Sequence, residues 1–202
     1  MPRKALVAAL VAVVSFALPA SAVDASGSLP PADPQRIVVI GDSVASAARR
    51  DLERALRPLA GNVRVDATPC RGVARSCTAP GVPVRPGSGV VVARRTTADV
   101  VVVELGYNDT PTLGELRRMT GTLTARGVRR VLWMTLHEGR PRYRAVNDSL
   151  RALAASDPAV ALLDWRAEAA GRPEWFTDDV HLSRSGVAAF SAFLARELAA
   201  RR

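Results

Sequence analysis

The chain has 202 residues, 48% of them hydrophobic and 4% aromatic, with a formal charge of +9. That is enough length for one core without help from metals or many disulfides. The few aromatics show no spaced stacking pattern, which argues against a single-strand nucleic-acid binder despite the charge.

The first 22 residues predict a signal peptide. Arg3 and Lys4 form a basic n-region, Ala5 to Ala20 is apolar, and Ala20-Ser21-Ala22 has the small-x-small pattern of a cleavage site. The apolar run is shorter than the ~20 residues that span a bilayer comfortably, so cleavage after Ala22 and export are expected rather than a retained anchor. Residues 23–35 are rich in Ser, Pro and Gly and predict a disordered leader, with a single domain over 36–202. Removing Arg3 and Lys4 leaves +7, and Lys4 is the only lysine, so the exported basic side chains are all arginine. Such a domain would be drawn to an anionic cell envelope. A monomer is expected, with no membrane span after cleavage.

Arg36-Ile37-Val38-Val39-Ile40 predicts a first strand, and Val44 to Leu56 a helix with Val44, Ala48, Leu52 and Leu56 on one face. Between them lies Gly41-Asp42-Ser43. A serine at the carboxyl end of a buried strand stands where open α/β sheets build their sites. Its N–H opens a helix, where backbone donors favour negative charge. That suits an acyl-transfer nucleophile. A plain helix cap is the alternative.

Val63 to Ala67 alternates and predicts a short second strand. Thr68 to Arg95 is a long Pro/Gly-rich stretch, of the kind that in a compact domain is functional or poorly ordered. Within it, Gly89 to Ala93 is expected as an extra turn or edge strand. Cys70 and Cys77 are the only cysteines. In an exported protein they predict a small-loop disulfide. Two cysteines do not complete a zinc shell, and the spacing is not Cys-x-x-Cys.

Asp99 to Leu105 has the continuous β-branched core of a strand buried on both faces. Helices follow over Thr112 to Arg126 and Arg142 to Ala155, with strands at Val131 to Leu136 and Val160 to Asp164. A closing helix runs over Ser183 to Ala200, capped by Ser183. This alternation predicts a three-layer α/β/α sandwich around a five-stranded parallel sheet, flavodoxin-like in topology. Every strand-to-helix loop then converges on one edge.

A serine nucleophile needs a base, and the base an orienting acid. Only His137 and His181 are available. In Asp178-Asp179-Val180-His181 an acid three residues before the histidine can fold back onto Nδ1 and leave Nε2 for a serine. Asp178 has that spacing; Asp179 stays open as its neighbour. A helix-capping turn also explains this segment. His137 follows the fourth strand, with Glu138 adjacent rather than folded back, so it is a poorer base and a candidate substrate contact or a solvated loop residue. Candidate donors to a developing oxyanion are the Ser43 N–H, the Asn108 amide and the Gly72 N–H. Asn108 also reads as a turn residue, Gly72 as a hinge, and Gly81 competes with Gly72. Arg71 and Tyr107, beside these donors, are candidate substrate contacts.

Gly41-Asp42-Ser43, a loop glycine, Gly106-Tyr107-Asn108-Asp109 and Asp178-x-x-His181, in that order, resemble the SGNH (GDSL-type) hydrolase family over roughly Ile37 to Leu194. The resemblance implies a serine ester hydrolase with a Ser43–His181–Asp178 triad. Its oxyanion hole would come from Ser43, Gly72 and Asn108, without metal or cofactor. Val146-Asn147, Leu163-Asp164-Trp165, Pro173-Glu174-Trp175-Phe176 and Asp179-Val180-His181-Leu182 are similar to the extracellular SGNH domains of peptidoglycan O-acetyltransferases. That implies an O-acetyl ester on envelope carbohydrate as substrate. The chain lacks the multi-span membrane part of those proteins, so hydrolysis is the simpler expectation. An O-acyltransferase with the same residues, or a catalytically silent glycan-binding domain, is the alternative.

Overall fold

The computed structural model describes residues 35–77 and 88–201. The expected signal peptide, its cleavage after Ala22, all but the last residue of the 23–35 leader, and Gly81 lie outside the described residues. Five parallel strands form one sheet: β1 (Arg36–Gly41), β2 (Asn62–Ala67), β3 (Val100–Glu104), β4 (Arg130–Met134) and β5 (Val160–Leu163), in the order β2-β1-β3-β4-β5. This is the doubly wound, flavodoxin-like order. β3 is buried along its whole length because β1 and β4 flank it and helices cover both faces.

Seven α-helices connect and cover the strands among the described residues: α1 (Ser43–Ala47), α2 (Arg49–Leu56), α3 (Gly89–Ala93), α4 (Leu113–Thr124), α5 (Pro141–Ser156), α6 (Trp165–Glu168) and α7 (Arg184–Ala199). Right-handed crossovers put α1 and α2 on one face and α3, α4 and α5 on the other, and α7 joins α2. α4 starts at a capping box: Thr112 Oγ1 accepts the Glu115 N–H (3.2 Å) while the Glu115 carboxylate accepts the Thr112 N–H (2.8 Å). No described helix is long and apolar enough to cross a membrane.

The helix expected over Val44 to Leu56 is two helices. Ala48 leaves helical geometry at φ −87°, ψ 0°, yet it is fully buried with Leu52 and Leu56. The break follows packing onto the sheet, and no Gly or Pro marks it. Gly89 to Ala93, expected as a turn or edge strand, is helix α3. Its first N–H groups go to the Gly72 and Val73 carbonyls (2.8 and 3.1 Å), and Gly89 lets it lie against Leu105 and Met119, where a Cβ would come within 2.7 Å of either side chain.

Candidate active site

The turn from β1 into α1 is tight. A Cβ on Gly41 would stand 2.4 Å from Ala45 Cβ, so only glycine lets the helix start this close to the strand. Asp42 is fully buried and caps α1: its Oδ1 accepts the Val44 N–H at 3.0 Å. The cap is therefore Asp42, and Ser43 is the first helical residue, with its side chain released from capping. Among the described residues no acceptor meets the Ser43 N–H.

His181 reaches Ser43 from a ribbon before α7. The Thr177 N–H donates to the His181 carbonyl and the Ser183 N–H to the Trp175 carbonyl, both at 2.8 Å. Phe176 pairs with Leu182 as an antiparallel bridge. The base of the ribbon is anchored by Trp175, which stacks 5.7 Å from buried Trp165. At the tip, Asp178 Oδ1 accepts the N–H groups of Val180 (2.8 Å) and His181 (2.7 Å). Asp178 Oδ2 lies 2.8 Å from His181 Nδ1, and His181 Nε2 lies 3.1 Å from Ser43 Oγ. With Nδ1–H donated to Asp178, Nε2 is left as the acceptor for the serine proton. The backbone N–H of His181, then its imidazole, hold the Asp178 carboxyl down at about 2, so it stays ionised. Asp179 turns away to Arg140 (3.2 Å). Ser183 caps α7, its Oγ accepting the Gly186 N–H at 3.2 Å.

Gly72 and Asn108 come from the loops after β2 and β3. The Asn108 amide donates to Asp42 Oδ2 (2.9 Å) and to the Arg71 carbonyl (3.1 Å), which ties both loops to the serine turn. Both of its N–H groups are thus engaged within the protein. The Gly72 N–H meets no acceptor among the described residues. Cys70 and Cys77 form a disulfide, as expected, and Cys77 Sγ lies 3.5 Å from Asn108 Oδ1. Closing a loop this short constrains the unfolded chain by about 2–3 kcal/mol. Reduction is expected to lower unfolding stability by about that amount, read as a shift in the urea midpoint with and without a reductant.

Several residues have roles that the sequence did not announce. Asp109 accepts three successive N–H groups, from Val73 (3.0 Å), Ala74 (2.9 Å) and Arg75 (3.2 Å), and so holds the Gly72 loop. Buried Asn147 clamps the loop after β4, accepting the Leu136 N–H (2.7 Å) and donating to its carbonyl (2.9 Å) and to Glu138 (3.0 Å). Arg71, a candidate substrate contact, is buried, and its guanidinium binds Asp66 Oδ1 (2.9 Å) and the Asp66 and Gly41 carbonyls. Tyr107 is buried too, with its hydroxyl accepting the His137 N–H at 2.8 Å. Both side chains are turned into the scaffold. His137 stacks on Phe176 at 4.0 Å, and burial lowers its pKa. Among the described residues no group of three or more His, Cys, Asp or Glu is placed to hold a metal ion.

A hydroxyl, an imidazole and a carboxylate in line, beside backbone donors at a helix start and in the neighbouring loop that are unpaired among the described residues, can make and break acyl–oxygen bonds. No protein-family model and no curated protein sequence matches the chain. Solved structures do. The C-terminal catalytic domain of Streptococcus pneumoniae peptidoglycan O-acetyltransferase A, carrying a methylsulfonyl adduct, is 21% identical with a TM-score of 0.62, over 84% of this chain and 93% of that one. A family 2 carbohydrate esterase with its carbohydrate-binding domain, from Corynascus thermopiles (Myceliophthora fergusii), is 16% identical with a TM-score of 0.60, over 86% and 68%. A family 3 carbohydrate esterase of Clostridium thermocellum is 19% identical with a TM-score of 0.53, over 83% and 98%. The chain therefore has the fold of SGNH-type esterases and O-acetyltransferases.

Proposed function

We propose that the protein is an exported serine esterase that removes small acyl groups, foremost O-acetyl, from cell-envelope carbohydrate. One observation carries this reading: the chain Ser43 Oγ–3.1 Å–His181 Nε2 and His181 Nδ1–2.8 Å–Asp178 Oδ2, built from segments 138 residues apart. Likeness of fold to carbohydrate esterases and to an O-acetyltransferase domain supports the substrate class. The disulfide supports an oxidising compartment.

In this mechanism Ser43 Oγ attacks the ester carbonyl while His181 Nε2 takes its proton. Asp178 holds the imidazole in the right tautomer and offsets the charge that forms on it. The tetrahedral oxyanion meets the Ser43 and Gly72 N–H groups. Asn108 contributes by turning one N–H from the Arg71 carbonyl to the oxyanion. His181 returns the proton to the departing sugar oxygen, leaving acyl-Ser43. Water, deprotonated by His181, then releases the carboxylic acid and restores the serine.

An acyltransferase would use a sugar hydroxyl in place of that water. Half the side-chain surface of His181 and Asp178 is exposed (51% and 52%), which leaves the acyl-serine within reach of a large acceptor. Mature protein with p-nitrophenyl acetate, beside Ser43→Ala, tests the first reading. Release of p-nitrophenol and acetyl mass on Ser43 are expected. If the wild type neither releases it nor is labelled at Ser43 by a covalent serine probe, a silent glycan-binding domain replaces the enzyme. Acetylated product on an added glycan acceptor marks the transferase.

A further inference from the structure

β3 is a run of valines that ends on an acidic residue, Glu104, only 1% exposed. It sits under the serine turn next to Asp42. Glu104 Oε2 faces the Asp42 N–H at 3.4 Å and the Ala45 N–H at 3.3 Å. Asp42 uses both oxygens, one for the Val44 N–H and one for the Asn108 amide. Of the four oxygens of this pair, Glu104 Oε1 is the one buried without a donor. No arginine or histidine forms an ion pair with either carboxyl among the described residues. Two like charges cannot both persist in so dry a site, since each lacks the solvent or counter-ion that would offset the other. Two carboxyls made only of acceptors need a proton between them.

We propose that Glu104 is held protonated and donates its O–H to Asp42, and that this shared proton fixes Asp42 as the acceptor that orients Asn108 and caps the Ser43 turn. Glu104 is then a positioning residue. The catalytic half of this inference rests on the esterase reading; the protonation half does not. The hydrogen-bond inventory assigns the proton. Asp42 already accepts two donors, as a carboxylate does, whereas Glu104 has one oxygen to spare. Burial, reinforced by the Asp42 charge, pushes the Glu104 carboxyl well above the ordinary glutamate range. The other titratable groups facing the pair are Tyr107 after β3 and His181 on the ribbon. Arg71 approaches through the Gly41 carbonyl (3.3 Å), but its charge is directed to Asp66.

The sign of the pH dependence follows. A carboxyl that keeps its proton when folded and loses it when unfolded makes the folded state bind more protons. Stability then falls as pH rises above the ordinary glutamate value, 4.5, until the folded group ionises as well. Loss of that last proton puts two charges under the serine turn and releases Asn108.

Wild type, Glu104→Gln and Glu104→Ala are compared by infrared difference spectroscopy, by thermal melts against pH, and by exchange of the Asn108 side-chain amide protons in NMR. Wild type should show the carbonyl stretch of a protonated carboxylic acid at neutral pH, and Glu104→Gln should lack it. The fall in melting temperature with rising pH should flatten in Glu104→Gln. Asn108 amide exchange should be slow in wild type and Glu104→Gln and at least about tenfold faster in Glu104→Ala. With p-nitrophenyl acetate, Glu104→Ala should lose roughly tenfold or more in kcat at little change in KM, and Glu104→Gln should recover most of it. Wild-type kcat should fall at alkaline pH where Glu104→Gln does not. No protonated-acid band at neutral pH, or one that Glu104→Gln leaves intact, overturns the protonation. Equal Asn108 exchange in all three proteins overturns the positioning. Should Glu104→Ala not fold, the band and the pH slope of Glu104→Gln decide. A wild type without turnover counts against the esterase, while the infrared and NMR readings still decide the proton.

Discussion

Replacing His181 by alanine is expected to lower kcat for p-nitrophenyl acetate by a factor on the order of 10⁴ or more, with Ser43→Ala equally damaging and the double variant no worse. The reason is geometric. His181 Nε2 is 3.1 Å from Ser43 Oγ, within the range for transferring the serine proton, and a general base gives its full effect only from such a position. Removing either member leaves the same residual catalysis by binding and oxyanion donors, so the losses do not add. Asp178→Ala should cost less in chemistry but also unties the ribbon, because Oδ1 holds the Val180 and His181 N–H groups. His137 stacks on Phe176 and gives its backbone N–H to Tyr107, and among the described residues no carboxylate hydrogen-bonds its ring. His137→Ala is expected to change kcat by less than about threefold and to act, if at all, on KM. Loss of turnover in His137→Ala with retention in His181→Ala would transfer the base to the other histidine.

Much of this was readable from the chain, and the limit of reading has a physical form. The valine run of β3 could only be a strand buried on both faces, and right-handed crossovers then fix which loops share an edge. The meeting of Ser43 and His181 is legible because each carries a local signal: a glycine-tight turn after a strand, and an acid three residues before a histidine. The choice between Asp178 and Asp179 is only half local. N–H groups two and three residues on claim Asp178, while Arg140, 39 residues away, takes Asp179. Arg71 misleads for a similar reason. An arginine beside a site loop suggests a substrate contact, but its partner Asp66 lies back in β2, and the guanidinium folds under the turn. Helix α3 was illegible because Gly89, Val90, Val91 and Val92 have weak helix propensity, and its start is set by the Gly72 and Val73 carbonyls. Glu104 was in plain view as an acid closing a buried strand. Its partner could be named only once β1 and β3 were seen to be neighbours, with Gly41 opposite Glu104.

Asp109→Ala should have the largest effect of any residue outside the proposed triad. Its carboxylate gathers the N–H groups of Val73, Ala74 and Arg75, and nothing else described in the protein accepts them. Gly72 precedes these three directly, and its site has no slack: a Cβ there would stand 2.5 Å from Asp109 Cγ and 2.0 Å from the Arg75 carbonyl. The clasp therefore sets where the Gly72 N–H lies. Hydrogen bonds to a charged acceptor contribute about 1.5–3 kcal/mol each, and water can replace part of that because Arg75 is exposed, so roughly 2–4 kcal/mol should be lost. At roughly 2–4 °C per kcal/mol for a domain of this size, the melting temperature falls by about 5–15 °C. If Gly72 is an oxyanion donor, kcat falls in addition by roughly 10²–10³, the cost of removing one such donor, with KM little changed. Asp109→Asn keeps one acceptor oxygen and should lie between. Hydrogen exchange at Val73, Ala74 and Arg75 separates the two effects. Fast exchange with low kcat places the oxyanion donor on this loop. Fast exchange with wild-type kcat removes Gly72 from the oxyanion hole and leaves Asp109 as a stabilising clasp alone.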